Sequence, residues 1–438
     1  LLRPGEEKTV TLVYHGIPAD GLIISNNEFG HRTFFADNWP ERAHYWIPCN
    51  DHLSDKASVD FLLTVPDHYQ VVGNGVLVEE FNLPKGMRLW HWKEEMVLPT
   101  KVMAIGVADF AVQLDTVIDH VPVQSWVFSQ NRDSGFAQYA VSKYILPFYI
   151  HYIGPYPYQK LANVQSKTRF GGMEDASNIF YNENSVSLHP KNPAEYRFLT
   201  EALMAHETAH QWFGDEVSET DWQHLWLSEG FATYMTDLYI EHRYGEDSLK
   251  ARLAHDRQIV INFYRKRKTP VVDTAAKNDP MKLLNPNTYE KGSWVLHMLR
   301  RKLGDRLFQK GIRTYYAEYK GRNASTNDLK VVMEKISHQN LDGFFRQWLY
   351  TPGQPELHCF WHYNDQRKSL SITIEQMQYP LFQFPVQVGI KNGKQYILRT
   401  LHIHNKHTTV TIPLKSIPQE VILDPNVNLL FDGKIVEE

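Results

Sequence analysis

His206 and His210 stand four residues apart in the stretch YRFLTEALMAHETAHQWFGDEVSETDWQHLWLSEGFATYM, which begins at Tyr196. On a helix of about 3.6 residues per turn, that spacing stacks two imidazoles on one face, close enough to reach a single metal ion. Glu207 lies one step round the same helix, where a carboxylate can face a water in an open coordination position and take its proton. Eighteen residues separate His210 from Glu229. Glu229 is expected in the first turn of the following helix, and an antiparallel return would bring its carboxylate in as a third ligand. Two neutral imidazoles and one carboxylate leave a divalent ion with net positive charge and a free position, the requirement for lowering the pKa of water. This donor set suits zinc, one ion per chain, and also admits cobalt or manganese. The bland alternative is a pair of core histidines and a helix-capping glutamate. A pattern with two free positions arises by chance in a chain with 21 His, so the third ligand decides between the two.

The elements that must position these residues divide the chain into three expected parts, so the fold class is multidomain α+β. Residues 1–125 read as an N-terminal β domain, through the alternating segments KTVTLVYHG from Lys8, SVDFLLTVP from Ser58, YQVVGNGVLVEEF around Gly73 and Gly75, and MRLWHWKEE from Met87. Gly73-x-Gly75 lacks the third glycine and the following helix of a dinucleotide loop and is expected to be a hairpin turn. Residues 126–350 read as mostly helical: Ser228 precedes one helix and Gly245 ends it, Asp247 opens the next, and Pro270 closes that one after the basic run Arg265–Lys268. Cations at a helix C-terminus need no further partner. Residues 351–438 return to period two, with turns at Asn364-Asp365 and Asn392-Gly393, as in a small β-sandwich. His402 and His404 there share one face of a strand, with His407 nearby and no carboxylate or cysteine at ligand spacing beside them.

At about 150 residues per domain, 438 residues allow roughly three domains. Forty-six Lys and Arg against fifty Asp and Glu leave a net charge of −4, without the basic excess of a phosphate-backbone binder, so no nucleic-acid partner is expected. The sequence has no apolar run long enough for a membrane span. Cys49 and Cys359 form neither a disulfide framework nor a cysteine-rich metal site. The numbering opens at Leu1 and not at Met, so an upstream segment is expected and the compartment, cytoplasmic or exported, stays open.

HETAH, the eighteen-residue spacer, Glu229 within WLSEGFATY, the upstream GGMED from Gly171 and the downstream YEKG from Tyr289 together resemble the M1 (gluzincin) family of zinc aminopeptidases. The resemblance runs from WIPCNDHLSDKA around Cys49 to QWLYTPGQP at Gln347. It implies a truncated N-terminal β domain, a thermolysin-like zinc catalytic domain and a C-terminal β-sandwich. It also implies hydrolysis of the N-terminal residue from peptides with a free N-terminus. By the same resemblance Gly171, Gly172, Met173, Glu174 and Asp175 form the substrate-binding element. Glu174 there grips the substrate's α-amino group, so that only a peptide whose ammonium lies one residue from the scissile carbonyl satisfies both ends. Tyr289 matches the tyrosine whose hydroxyl donates to the oxyanion, and Glu207 is the general base.

Several positions depart from the family pattern. Asp175 replaces an asparagine, Asp215 and Ser228 stand where asparagines are common, and a second amine contact falls to Asp37 or Asn38. No helical domain of the kind that caps many relatives is expected after the β-sandwich, so a site more open than theirs, or one closed by a partner, is expected. Three rivals remain: a thermolysin-type endopeptidase, which would have no use for Glu174; a bifunctional epoxide hydrolase, which the resemblance places in a branch with a helical C-terminal domain; and a non-catalytic peptide-binding or scaffolding protein. Preferred side chain and oligomeric state are not readable.

Overall fold

The structure, a computed structural model, describes residues 6–185 and 193–438. The chain divides into two compact units, Leu1–Lys143 with Tyr158–Thr200, and Tyr144–Pro157 with Glu201–Glu438. This division by contacts does not follow the expected cuts at 125 and 350, and near the first of them strand pairing is the reason. Leu161–Ser166 pairs in parallel with Val121–Phe128 on one side and Asn178–Asn182 on the other, which draws the GGMED region into the first unit.

Among the described residues the first unit is built from three sheets. One runs in the order Leu22–Asn26, Arg32–Ala36, Ile105–Ala108, Gln70–Gly73, and a second pairs Lys56–Pro66, Met87–Pro99 and Val76–Leu83. The third has five strands, with Gly172–Met173 on one edge and Phe110–Ile118 on the other. Phe35 meets Phe180 edge-on with ring centres 5.4 Å apart, joining two of these sheets in one apolar core. Two local expectations fail here. KTVTLVYHG carries strand alternation, but Lys8–Gly16 pairs with no strand among the described residues, and Val13 is 94% exposed. Alternation marks a face; only a partner makes a strand. Gly73-Asn74-Gly75 is a crossing and not a hairpin, because the strand before it and the strand after it belong to different sheets. Gly75 has φ +74°, and a Cβ there would fall 1.9 Å from the Lys93 carbonyl oxygen, so only glycine fits the crossing.

In the second unit residues 201–210 of the helix Pro193–His210 and the helices Trp226–Tyr244, Glu246–Lys266, Gly292–Leu303 and Asp305–Tyr319 carry the core, which buries Trp212, Trp226 and Trp294. The helix expected after Ser228 begins two residues earlier, at Trp226, and ends at Gly245 with φ +92°. Two sheets follow, ordered His407–Pro413, Ser369–Gln376, Glu356–Asn364, Asp432–Glu437 and Gln395–Ile403, Phe384–Asn392, Glu420–Leu423. They match the strands and turns expected of a sandwich. Among the described residues no helix is long and apolar enough to cross a membrane.

Glu201, in the Pro193–His210 helix, accepts from Tyr239 and, at 2.6 Å, from Tyr244 of the Trp226–Tyr244 helix, which ties the two together. The second helix also meets the start of Gly292–Leu303 with backbones in contact. A Cβ on Gly230 would lie 2.9 Å from the Gly292 Cα and 3.0 Å from the Thr288 carbonyl oxygen. Gly230→Ala or Gly292→Ala is therefore expected to lower stability by about 1–3 kcal/mol through overpacking. Gly343→Ala, with nothing within 4 Å of the added methyl, should leave it unchanged or slightly raised. Urea unfolding of the three variants checks the contrast.

Candidate metal centre

His206 and His210 occupy the last two turns of the Pro193–His210 helix, and Glu229 the first turn of Trp226–Tyr244. Their donor atoms converge. His206 Nε2 and His210 Nε2 are 3.1 Å apart, and each lies 3.3 Å from Glu229 Oε2. Tetrahedral ligands about 2.0–2.1 Å from a zinc ion lie about 3.3–3.4 Å from one another, so the triangle has the size the ion needs. Burial opposes the charged form of Glu229, yet with no ion bound the two histidines, when protonated, hold its carboxyl well below the usual carboxylate range.

The outer atoms of His210 explain why its Nε2 faces inward. Its Nδ1 lies 3.1 Å from both the Phe213 carbonyl oxygen and Ser228 Oγ. A carbonyl only accepts, so the proton sits on Nδ1 and the Nε2 lone pair is left for a ligand bond. Ser228 is thus no helix cap; its hydroxyl belongs to the support of His210. Gly214, with φ +129°, makes the turn that brings the Phe213 carbonyl back, and a Cβ there would meet Ser228 Oγ at 2.5 Å and His210 Nδ1 at 3.0 Å. Asp215 accepts from Gln211 Nε2 at 2.9 Å, and Gln211 accepts from the Tyr156 hydroxyl at 3.0 Å, bracing the end of the same helix.

Glu207 is buried next to His206. Tyr289 is half-buried, its ring nearly parallel to that of His206 with centres 6.1 Å apart. It sits in a π-helical turn, Asn287–Lys291, a local distortion frequent at functional sites. That turn is pinned from several sides. Asn287 donates to the Thr269 carbonyl at 2.8 Å, Thr288 to that of Leu283 at 2.5 Å, and buried Lys291 to that of Gly353 at 2.7 Å. Burial draws the Lys291 ammonium down to about 7.

The structure thus gathers His206, Glu207, His210, Glu229 and Tyr289 in the second unit. Gly171, Gly172, Met173, Glu174 and Asp175 are gathered in the first. Gly172 and Met173 form the edge strand opposite Tyr181 and Phe180, and Glu174 follows directly, buried like Asp175. Asp37 and Asn38, the two choices for a further amine contact, serve the first unit's own loops. Asn38 donates to the Thr100 and Met103 carbonyls at 3.0 and 2.6 Å and accepts from Trp46 at 2.7 Å. Asp37 accepts from Arg42 at 2.6 Å and from the Arg169 N–H at 3.2 Å. Burial raises its carboxyl to about 6, against the Arg169 N–H and guanidinium, which pull it down. The parts that spacing did not signal are the Phe213 carbonyl, the π-helical turn and the contact of Gly230 with Gly292. Glycines inside WFGD, SEGF and EKGS were the available hint.

Residues 136–348 match the Peptidase family M1 domain. Aminopeptidase M1-C of Oryza sativa subsp. japonica is 27% identical over 375 residues, covering 82% of this chain and 42% of its own length. Probable aminopeptidase 1 of Saccharolobus solfataricus is 26% identical over 318 residues, covering 72% and 40%. The crystal structure of Legionella pneumophila aminopeptidase A in complex with aspartic acid superposes with a TM-score of 0.83 at 18% identity, over 94% of this chain and 48% of that one, a likeness of fold. The chain therefore spans less than half the length of these relatives. From the site's geometry, purified protein is expected to carry one zinc ion per chain by elemental analysis, and His206→Ala or Glu229→Ala to abolish it. Gly214→Ala, which disturbs only the support of His210, should weaken zinc about 10–100-fold in chelator competition.

Proposed function

We propose that this chain, whose residues 136–348 match the Peptidase family M1 domain, is a zinc-dependent aminopeptidase acting on peptides with a free N-terminus. The observation that carries this reading is the convergence of His206 Nε2, His210 Nε2 and Glu229 Oε2 within 3.1–3.3 Å of one another. These three residues would hold the ion, and zinc when bound supplies Lewis-acid activation of water and of the peptide carbonyl.

The chain's own residues do the rest. Glu207, one step round the helix from His206, takes a proton from the attacking water on its carboxylate and returns it to the leaving nitrogen. Its burial excludes competing solvent and favours that exchange. Tyr289, held beside His206 by its pinned turn, donates its hydroxyl proton in a hydrogen bond to the oxygen on which charge develops. Glu174 takes the substrate's ammonium group, and so confines cleavage to the first residue. That role follows from the resemblance, and the burial of Glu174 supports it, because a charge-assisted bond is strongest away from water.

Three outcomes are expected. Tyr289→Phe should lower kcat by about two to three orders of magnitude with KM little changed. Glu207→Gln should cost about two to four orders in kcat while zinc content stays at one per chain. The third separates this reading from an endopeptidase. An aminoacyl aryl amide should be cleaved, its N-acetyl counterpart left intact, and activity lost with chelator; cleavage of the blocked compound would overturn exopeptidase action. An absence of turnover on a panel of unblocked amides by the zinc-loaded protein would favour the non-catalytic alternative.

A further inference from the structure

Asn74 and Lys160 are buried polar side chains of the first unit that the proposed chemistry does not use. Asn74 occupies the crossing between two sheets. Its amide nitrogen donates to the carbonyl oxygens of Val102 at 3.0 Å and Ala176 at 2.6 Å, and its amide oxygen accepts from the Ala104 N–H at 2.6 Å. Lys160 directly precedes the strand Leu161–Ser166. Its ammonium donates to the Gly73 carbonyl at 2.8 Å and to Ser177 Oγ at 3.1 Å, and stands 4.8 Å over the Trp92 ring. The same Ser177 oxygen accepts from the Gly75 N–H at 2.8 Å.

Both clamps close on Ala176 and Ser177. These residues lie in a tight turn whose Asp175 carbonyl accepts from the Asn178 N–H at 2.9 Å, while the Ala176 N–H donates to Val102 at 3.2 Å. Ser177 holds φ +64°, a left-handed conformation that serine keeps only when its surroundings impose it. Glu174 enters this turn straight from Met173, which is itself fixed opposite Phe180 on the edge strand.

Lys160 is an expensive way to fill that space. Burial pulls its ammonium down to about 7, with the Glu94 carboxylate acting in the opposite sense. A buried ion costs several kcal/mol of desolvation, and an apolar side chain of similar length is often as stabilising. What the ammonium adds is direction: two bonds that lock Gly73 and Ser177 to each other.

We propose that Asn74 and Lys160 are positioning residues for recognition of the substrate's N-terminal amine, acting through Ala176 and Ser177 to fix the turn that holds Glu174. The proposal rests on the reading of Glu174 as the amine-binding carboxylate. An ammonium–carboxylate contact is short and directional, so a turn freed by a fraction of an ångström loses that contact before it loses anything else.

Calorimetric binding of alanine hydroxamate and propionohydroxamate to the zinc-loaded enzyme tests this, because the two share the chelating group and differ by the amine. Wild type is expected to bind the amino compound at least about tenfold more tightly, and Glu174→Ala to erase that preference. No preference in wild type would overturn the amine reading itself. With the preference present, Lys160→Met and Asn74→Ala should each reduce it about fivefold or more while the propionohydroxamate Kd stays within about twofold. Ser177→Ala, which removes one hydroxyl and leaves the apolar core intact, should act in the same direction. It carries the test where a larger change prevents folding. Folded variants that keep the wild-type preference, or that weaken both compounds alike, would overturn the positioning role.

Discussion

The metal centre of the second unit depends on one demanding geometry, three electron-rich atoms held within 3.1–3.3 Å of one another inside protein. Such atoms do not gather unaided. Burial works against the Glu229 charge, and positive charge beside it, on a protonated imidazole or on an ion where one is bound, makes it tolerable there. Two helices must therefore arrive at fixed spacing and rotation. The tyrosines that donate to Glu201 hold them at one level, and the close approach of Phe213 and Phe231, with ring centres 4.6 Å apart, holds them at another.

The two units solve their positioning problems with different means. The second presents donors on helix faces, where a 3.6-residue period supplies the register and side chains such as Ser228 orient what the helix presents. The first presents Glu174 from the end of an edge strand only two residues long. So short a ladder fixes little, and the burden passes to backbone carbonyls and N–H groups bound by Asn74, Lys160 and Ser177. A buried polar network of this kind specifies one conformation when every member is satisfied.

Much of the metal centre was legible because its ligands are local. His206 and His210 share a helix, and Glu229 lies just past the next turn, so spacing alone carries the information. The C-terminal strands were legible for the same reason, since period two and an Asn-Gly turn are short-range signals. What stayed hidden depends on partners distant in sequence. Lys8–Gly16 alternates like a strand yet has no ladder among the described residues, and Gly73-Asn74-Gly75 looks like a hairpin until its two strands are seen to join different sheets. The role of Ser228 beside His210 was not legible from its place before a helix, because that neighbour is eighteen residues away. Tyr289 could be singled out only by resemblance. Its π-helical turn is fixed by residues as far off as Gly353.

The meeting of Gly230 with Gly292 is a contact between bare main chains, with no charge and no hydrogen bond at its centre. Steric exclusion of this kind is indifferent to ionic strength and acidity, unlike the ion pairs elsewhere on the molecule. The spacing of Glu229, beside one of these glycines, from Tyr289, three residues before the other, is thus insulated from the medium in which the protein works. In evolutionary terms the two positions constrain each other, for neither can acquire a side chain while its neighbour stays where it is.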